Sequence, residues 1–101
     1  MNIAEIKLKY PNRVPVYVHK KEGSDIDDVP KHKYLVPEDM TLGNLIYIIR
    51  KNIKLTSEKA LFVFIDNKLS SNSNPIGELY NRHKNEDGFL YLIYTGENTF
   101  G

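Results

Sequence analysis

The chain of 101 residues is one domain long, 41% apolar and free of cysteine, which allows a single core but excludes a disulfide framework, a thiolate metal site and a cysteine nucleophile. Fourteen basic against thirteen acidic side chains leave a net charge of +1, so no overall field draws it to nucleic acid or anionic lipid. No apolar run approaches the ~20 residues of a membrane span and the first residues carry no signal-peptide pattern, so a soluble intracellular domain is expected.

Ile3, Ile6 and Tyr10 recur at i, i+3 and i+7, predicting a short amphipathic helix over residues 1–10 that ends before Pro11. RVPVYV then alternates as a strand, with Val14, Val16 and Val18 on one face and Pro15 and Tyr17 on the other. A proline there marks the strand's first residues or an unpaired position. KKEGSDIDDVP reads as polar turn material around Gly23, and KYLVP as a second short strand stopped by Pro37. Thr41 caps the helix TLGNLIYIIRKNIK. Its Leu42, Leu45, Ile46, Ile49 and Ile53 form one stripe, and Arg50, Lys51 and Lys54 suit the negative end of the dipole.

ALFVFI and FLYLIY are continuous apolar runs of strand length, as expected of inner strands covered on both faces. DNKLSSNSNP between them is a loop with room for a short edge strand. PIGELYNRH is a brief helix with Pro75 near its first position and Ile76, Leu79 and Tyr80 facing inward. This order predicts an α+β chain, a β-grasp (ubiquitin-like) mixed sheet with a crossing helix, a short second helix and one N-terminal helix on the opposite face. That last helix would account for the apolar character of every position in FLYLIY.

Catalytic signals are missing. His19, His32 and His83 lack metal-ligand spacing, SSNSN has hydroxyls but no base, and GSDIDD lacks the spacing of a calcium loop. No enzyme activity, metal or cofactor is therefore expected. A peptide-binding reading has more behind it. On a helical wheel Leu42, Ile46, Ile49 and Ile53 cluster, Leu45 lies at one edge and Ile48 beyond it, although a broad core stripe has the same pattern. KHKYLVP is short, basic at its start and followed by proline, as guarded sheet edges are. Such an edge suits an added strand that drops alternate side chains into pockets, with Lys31, His32 and Lys33 attracting acids; simple solubility explains the same cluster.

KYPNRVPVYV, KHKYLVPEDMTLGNLIYIIRK, ALFVF, GELY and EDGFLYLIYTGENTFG resemble the autophagy-related protein 8 family, which includes the GABARAP and microtubule-associated protein light chain 3 types. The resemblance runs from about Lys9 to Gly101. It implies a shortened N-terminal helix at 1–10, a ubiquitin-like domain at 11–96 and a conjugation tail at 97–101. It implies joining of Gly101 to phosphatidylethanolamine, with Thr99 and Phe100 recognised by the activating and conjugating enzymes and by a processing and deconjugating cysteine protease. It implies docking of receptors bearing aromatic-x-x-aliphatic (LIR or AIM) motifs, with no nucleic-acid partner. The aromatic pocket would use Ile6, Pro15, Lys33, Leu35 and Phe89, and the aliphatic pocket Tyr34, Val36, Pro37, Met40, Leu45 and Ile48. Arg13, Lys31, Lys33 and Arg50 would meet acids flanking the motif. The protein would be cytoplasmic, and on autophagosomal membranes when lipidated.

Three departures accompany the resemblance. Members usually carry two helices before the KYP-like segment, so roles ascribed to the first, such as membrane tethering or self-association, are in doubt here. Asn2 stands where an acidic pocket residue is common and Asn52 where a basic one is common, so partner preference is expected to differ. Nothing follows Gly101, as in a mature form or a gene ending in glycine. Two alternatives keep the fold: a modifier attached to a protein lysine, and an unconjugated peptide-binding module.

Overall fold

The computed structural model describes residues 2–56 and 58–97. The elements follow the order α1 (Ile3–Lys9), β1 (Arg13–Lys20), β2 (Lys33–Pro37), α2 (Leu42–Asn52), β3 (Phe62–Ile65), β4 (Lys68–Leu69), α3 (Ile76–His83) and β5 (Leu90–Thr95). The five strands form one mixed sheet in the order β2-β1-β5-β3-β4. β1 runs antiparallel to β2 and parallel to β5, which is antiparallel to β3. This is the β-grasp arrangement, with the two apolar runs as inner strands and KYLVP at an edge.

Local chemistry explains the boundaries. Thr41 is extended and its hydroxyl accepts the Asn44 amide hydrogen at 3.2 Å, satisfying one of the first-turn donors of α2. The Leu42 and Gly43 amides donate to the carbonyls of Asn74 and Asn72, which ties the helix start to the loop before α3. Asp66 and Asn67 both have positive φ between β3 and β4, the backbone that a two-residue hairpin turn requires. Pro15 shows how a proline enters an inner strand. The Val18 amide donates to His32 and the Glu38 amide to Asn12, so even-numbered residues of β1 turn their backbone groups toward β2. The missing N–H of Pro15 therefore faces β5, one residue ahead of the Val16–Leu90 position where that pairing starts.

The core lies between the sheet and α2 with α3. Val14, Val16 and Val18 point into it together with Leu42, Leu45, Ile49 and Ile53 of the α2 stripe, and Ile76, Leu79 and Tyr80 of α3. Each such side chain contributes about 1.5–3 kcal/mol by leaving water. Among the described residues, no helix is long and apolar enough to cross a membrane.

Two segments depart from the expectations. The loop read as polar turn material folds Ile26 and Val29 into the core, at 8% and 4% exposure. Tyr94 holds it there: its hydroxyl donates to the Asp27 carbonyl at 2.9 Å, and the Val29 amide donates to the Asp28 carboxylate at 3.0 Å. The second departure concerns the outer sheet face. α1 packs there against β1 and reaches Gly88, but further along that face the rings of Tyr17, His19, Phe89 and Tyr91 cover one another. Tyr91 and Ile93 are accordingly half-buried rather than sealed.

Burial pushes the Tyr94 phenol up to about 12, with the Asp28 charge adding to the rise. The folded value exceeds the unfolded one, so the stability contributed by this group is complete below about pH 10 and is lost as pH rises through about 12. Urea midpoints measured across that window should fall in the wild type. Tyr94→Phe should flatten the fall, at the cost of the Asp27 hydrogen bond, about 1 kcal/mol at neutral pH.

Candidate functional site

A cavity of about 510 Å³ opens beside β2, between that edge strand, α1 and the chain leading into β5. Ile6, Pro15, Lys33, Leu35 and Phe89, the five residues expected at an aromatic pocket, all line it. Ile6 and Pro15 are buried, Leu35 and Phe89 half-buried, and Lys33 exposed at the rim. Arg13 and Lys31 line the same space, as do Asn2, Ile3 and Tyr34. Arg50 lies elsewhere. It sits in the last turn of α2, and its guanidinium donates to the Thr56 carbonyl at 3.0 Å.

Each wall has a local cause. Asn2 caps α1 by accepting the Glu5 amide hydrogen at 2.9 Å, and so fixes the helix that presents Ile3 and Ile6. Gly88 has a φ of +88°, and a Cβ there would lie 2.8 Å from Ile3 Cγ2, so the bare backbone lets α1 close on the sheet. Asp87 holds the next residue in place. Its carboxylate accepts the Phe89 amide hydrogen at 3.0 Å through one oxygen and the Tyr91 hydroxyl through the other. These bonds, the Tyr91 one first, hold the Asp87 carboxyl below its usual range and push the Tyr91 phenol up.

Behind Phe89 stands a stack of rings. Tyr17 meets Phe89 edge-on at 6.5 Å and lies nearly parallel to His32 at 5.5 Å. His32 Nδ1 is 2.8 Å from the Val18 carbonyl, and this bond requires Nδ1 to carry the hydrogen. Burial, then the neighbouring His32, lower the pKa of His19, against an opposing pull from Asp28. His83 is far from this group and bonds Asp66 at 2.6 Å.

The rim is cationic. Lys33 Nζ lies 5.8 Å from the centre of the Phe89 ring, and Lys31 Nζ 5.3 Å from that of Tyr34. Arg13 reaches the Leu35 carbonyl at 3.4 Å. The β1–β2 register turns Tyr34 and Val36 backbone groups toward β1. Lys33 and Leu35 therefore direct their amides and carbonyls to the open edge of the sheet.

The six residues expected at an aliphatic pocket divide. Val36 and Leu45 are 3% and 1% exposed, because Val36 shares the inner face with Val14 and Leu45 belongs to the buried α2 stripe. Both therefore lie beneath the surface that the other four residues form. Tyr34, Pro37, Met40 and Ile48 are half-buried, and Tyr34 belongs to the first cavity as well. Its hydroxyl accepts from Asn52 Nδ2 at 3.1 Å, linking β2 to the end of α2. Thr99, Phe100 and Gly101 lie outside the described residues.

Ile3, Gly88 and Asp87 escaped the sequence reading as contributors to the site. The i, i+3 spacing of Ile3 and Ile6 carried a signal for the first. Asp two residues before Phe89 carried one for the last, since Asp commonly bonds the backbone two residues on.

A family model described as "Autophagy protein Atg8 ubiquitin like" matches residues 1–101. Autophagy-related protein 8b of Arabidopsis thaliana is 53% identical over 104 residues, covering 100% of this chain and 85% of that protein. Autophagy-related protein 8a of the same plant is 52% identical, over 97% of this chain and 80% of its own. The crystal structure of Trypanosoma brucei ATG8 superposes with a TM-score of 0.86 at 39% identity, covering 97% of this chain and 84% of that one. Sheet order, crossing helix and sequence agree, and the chain belongs to the Atg8 family of ubiquitin-like autophagy proteins.

Proposed function

We propose that this protein is a non-enzymatic modifier whose terminal carboxyl, on Gly101, is joined to phosphatidylethanolamine, and whose β2 edge docks extended aromatic-x-x-aliphatic segments flanked by acids. The observation that carries the docking role is the convergence of Ile6, Pro15, Lys33, Leu35 and Phe89 on one cavity beside an unpaired strand edge. An aromatic side chain enters the cavity, the segment's backbone pairs with Lys33 and Leu35, and its acids meet Arg13, Lys31 and Lys33. The later aliphatic residue rests on Tyr34, Pro37, Met40 and Ile48.

Family membership supports the conjugation role. Glycine has no Cβ, so an extended terminus threads a narrow enzyme channel with its carbonyl open to attack. Activating and conjugating enzymes would carry the carboxyl to the lipid amine, and a cysteine protease would reverse the bond. Two acyl chains, at ~0.8 kcal/mol per buried methylene, hold a small domain stably on a membrane where one does not. The protein would be cytoplasmic before conjugation and on autophagosomal membranes after it.

Incubation with activating and conjugating enzymes, ATP and phosphatidylethanolamine liposomes, followed by intact-mass measurement, tests this role. One phospholipid should be added per chain, and Gly101→Ala should remove nearly all of the product. A lysine isopeptide in its place, or unchanged yield from Gly101→Ala, contradicts the lipid reading.

A further inference from the structure

β5 ends on Thr95, whose side chain is 1% exposed yet carries a hydroxyl. A buried hydroxyl needs partners, and this one uses both its donor and an acceptor lone pair. It donates to Ser24 Oγ at 3.4 Å and accepts the Glu97 amide hydrogen at 3.3 Å. Ser24 belongs to the turn after β1, and that turn is anchored to the same strand. The Lys21 amide donates to the Tyr94 carbonyl at 2.8 Å, and the Ser24 amide to the Lys21 carbonyl at 3.1 Å. The chain bends just beyond, at Gly96 and Glu97. Glycine chemistry does not impose that bend. Gly96 has no positive φ, and a Cβ on it would make only ordinary contacts, 3.5 Å from Ile26 Cγ2 and 3.8 Å from the Ala60 carbonyl oxygen.

We propose that Thr95 is a positioning residue for conjugation: held by Ser24, its hydroxyl turns the Glu97 amide and so sets the direction in which the last residues leave the domain. The proposal rests on the conjugation role given above. Five residues, 97–101, follow Gly96, and fully extended they reach about 17 Å. With so short a reach, the direction at Glu97 decides where the Gly101 carboxyl lies once an enzyme has grasped the body of the domain. A carboxyl held against its reaction partner gains the rate of an intramolecular step, and a displacement of about 1 Å forfeits much of that gain. Thr95 touches neither the carboxyl nor the lipid amine; it acts through Glu97. Little of the fold depends on these bonds. Glu97 is exposed and Ser24 half-buried, so water takes over both groups when the hydroxyl is removed.

The test measures initial rates of phospholipid adduct formation by the full chain, with activating and conjugating enzymes, ATP and phosphatidylethanolamine liposomes, over a range of protein concentrations. Thr95→Val keeps the shape and removes the hydroxyl, Thr95→Ser keeps the hydroxyl, and Ser24→Ala removes its anchor. Thr95→Val should lower kcat about fivefold while KM stays within about twofold, because the body still docks and only the reacting end is misplaced. Thr95→Ser should recover kcat to within about twofold of wild type, and Ser24→Ala should lose about twofold to threefold. Affinity for an aromatic-x-x-aliphatic peptide should be unchanged in all three. A wild-type kcat in Thr95→Val, a loss confined to KM, a parallel loss of peptide affinity, or no recovery in Thr95→Ser overturns the proposal while conjugation stands. Should Thr95→Val fail to fold, a wild-type kcat in Ser24→Ala overturns it equally. A wild-type chain that gains no phospholipid overturns both.

Discussion

Lys33→Glu is expected to weaken a peptide with acids ahead of an aromatic-x-x-aliphatic motif by about tenfold or more, measured by titration at low salt. The substitution removes a cation from the cavity rim and sets a carboxylate in the space that Lys31 and Arg13 also line, against the acids of the peptide. Because the affected charges are exposed, the loss should shrink as ionic strength rises and the screening length falls below ~10 Å. Leu35→Ala provides the contrast. It deletes part of an apolar wall, about 1–2 kcal/mol of contact with the aromatic ring, and its effect should not depend on salt. Equal affinity in both variants would count against this cavity as the docking site.

Gly88→Ala should combine backbone strain with a steric clash, costing about 1–3 kcal/mol of stability. The backbone there has a φ of +88°, and the new Cβ would stand 2.8 and 2.9 Å from two carbons of Ile3. Either α1 lifts or the turn rearranges. For a domain of this length each kcal/mol lowers the melting temperature by roughly 4–8 °C, which calorimetry resolves easily. Peptide affinity should fall as well, since Ile3 and Ile6 line the cavity only while α1 is seated. Gly23→Ala serves as the comparison. It has the same φ of +88°, but its Cβ would meet nothing within 4 Å, so it isolates backbone strain from the clash. A Gly88→Ala protein no less stable than Gly23→Ala would show that the contact with Ile3 is unimportant.

Regular segments were readable wherever one physical rule dominated. The α2 stripe has helical spacing and a Thr cap, and Leu42, Leu45, Ile49 and Ile53 are buried as that spacing requires. Pro15 pointed to the strand's first residues or an unpaired position, because a missing donor can only sit where no ladder bond is due, and it lies third in β1, ahead of the β5 pairing. The loop holding Ile26 and Val29 defeated the same approach. Two apolar residues among acids have no period, and the loop that carries them is tied down at Asp27 and Asp28 by a hydroxyl 67 and 66 positions away on Tyr94. The apolar positions of FLYLIY were half understood. Leu90, Leu92 and Tyr94 are sealed in the core, but Tyr91 is shielded by rings from β1 and by Phe89 instead of by α1.

For the site, residue type and edge position brought out the basic start and apolar alternation of KYLVP. Depth was not legible. Val36 and Leu45 were expected at a binding surface, yet side-chain alternation along β2 and the turn of α2 place both in the core. The role of Gly88 was equally hidden, because a close approach between two segments 85 residues apart leaves no local mark.

The most direct measurement is an NMR titration of the isotopically labelled chain with an acid-flanked aromatic-x-x-aliphatic peptide, following backbone amides and the methyls of Ile and Leu. Saturating shifts confined to Ile6, Lys33, Leu35 and Phe89, with new intermolecular contacts from the peptide's aromatic ring to the Ile6 and Leu35 methyls, are the predicted result. Shifts centred instead on β4 and the loop after it, with β2 and α1 unmoved, would contradict the account.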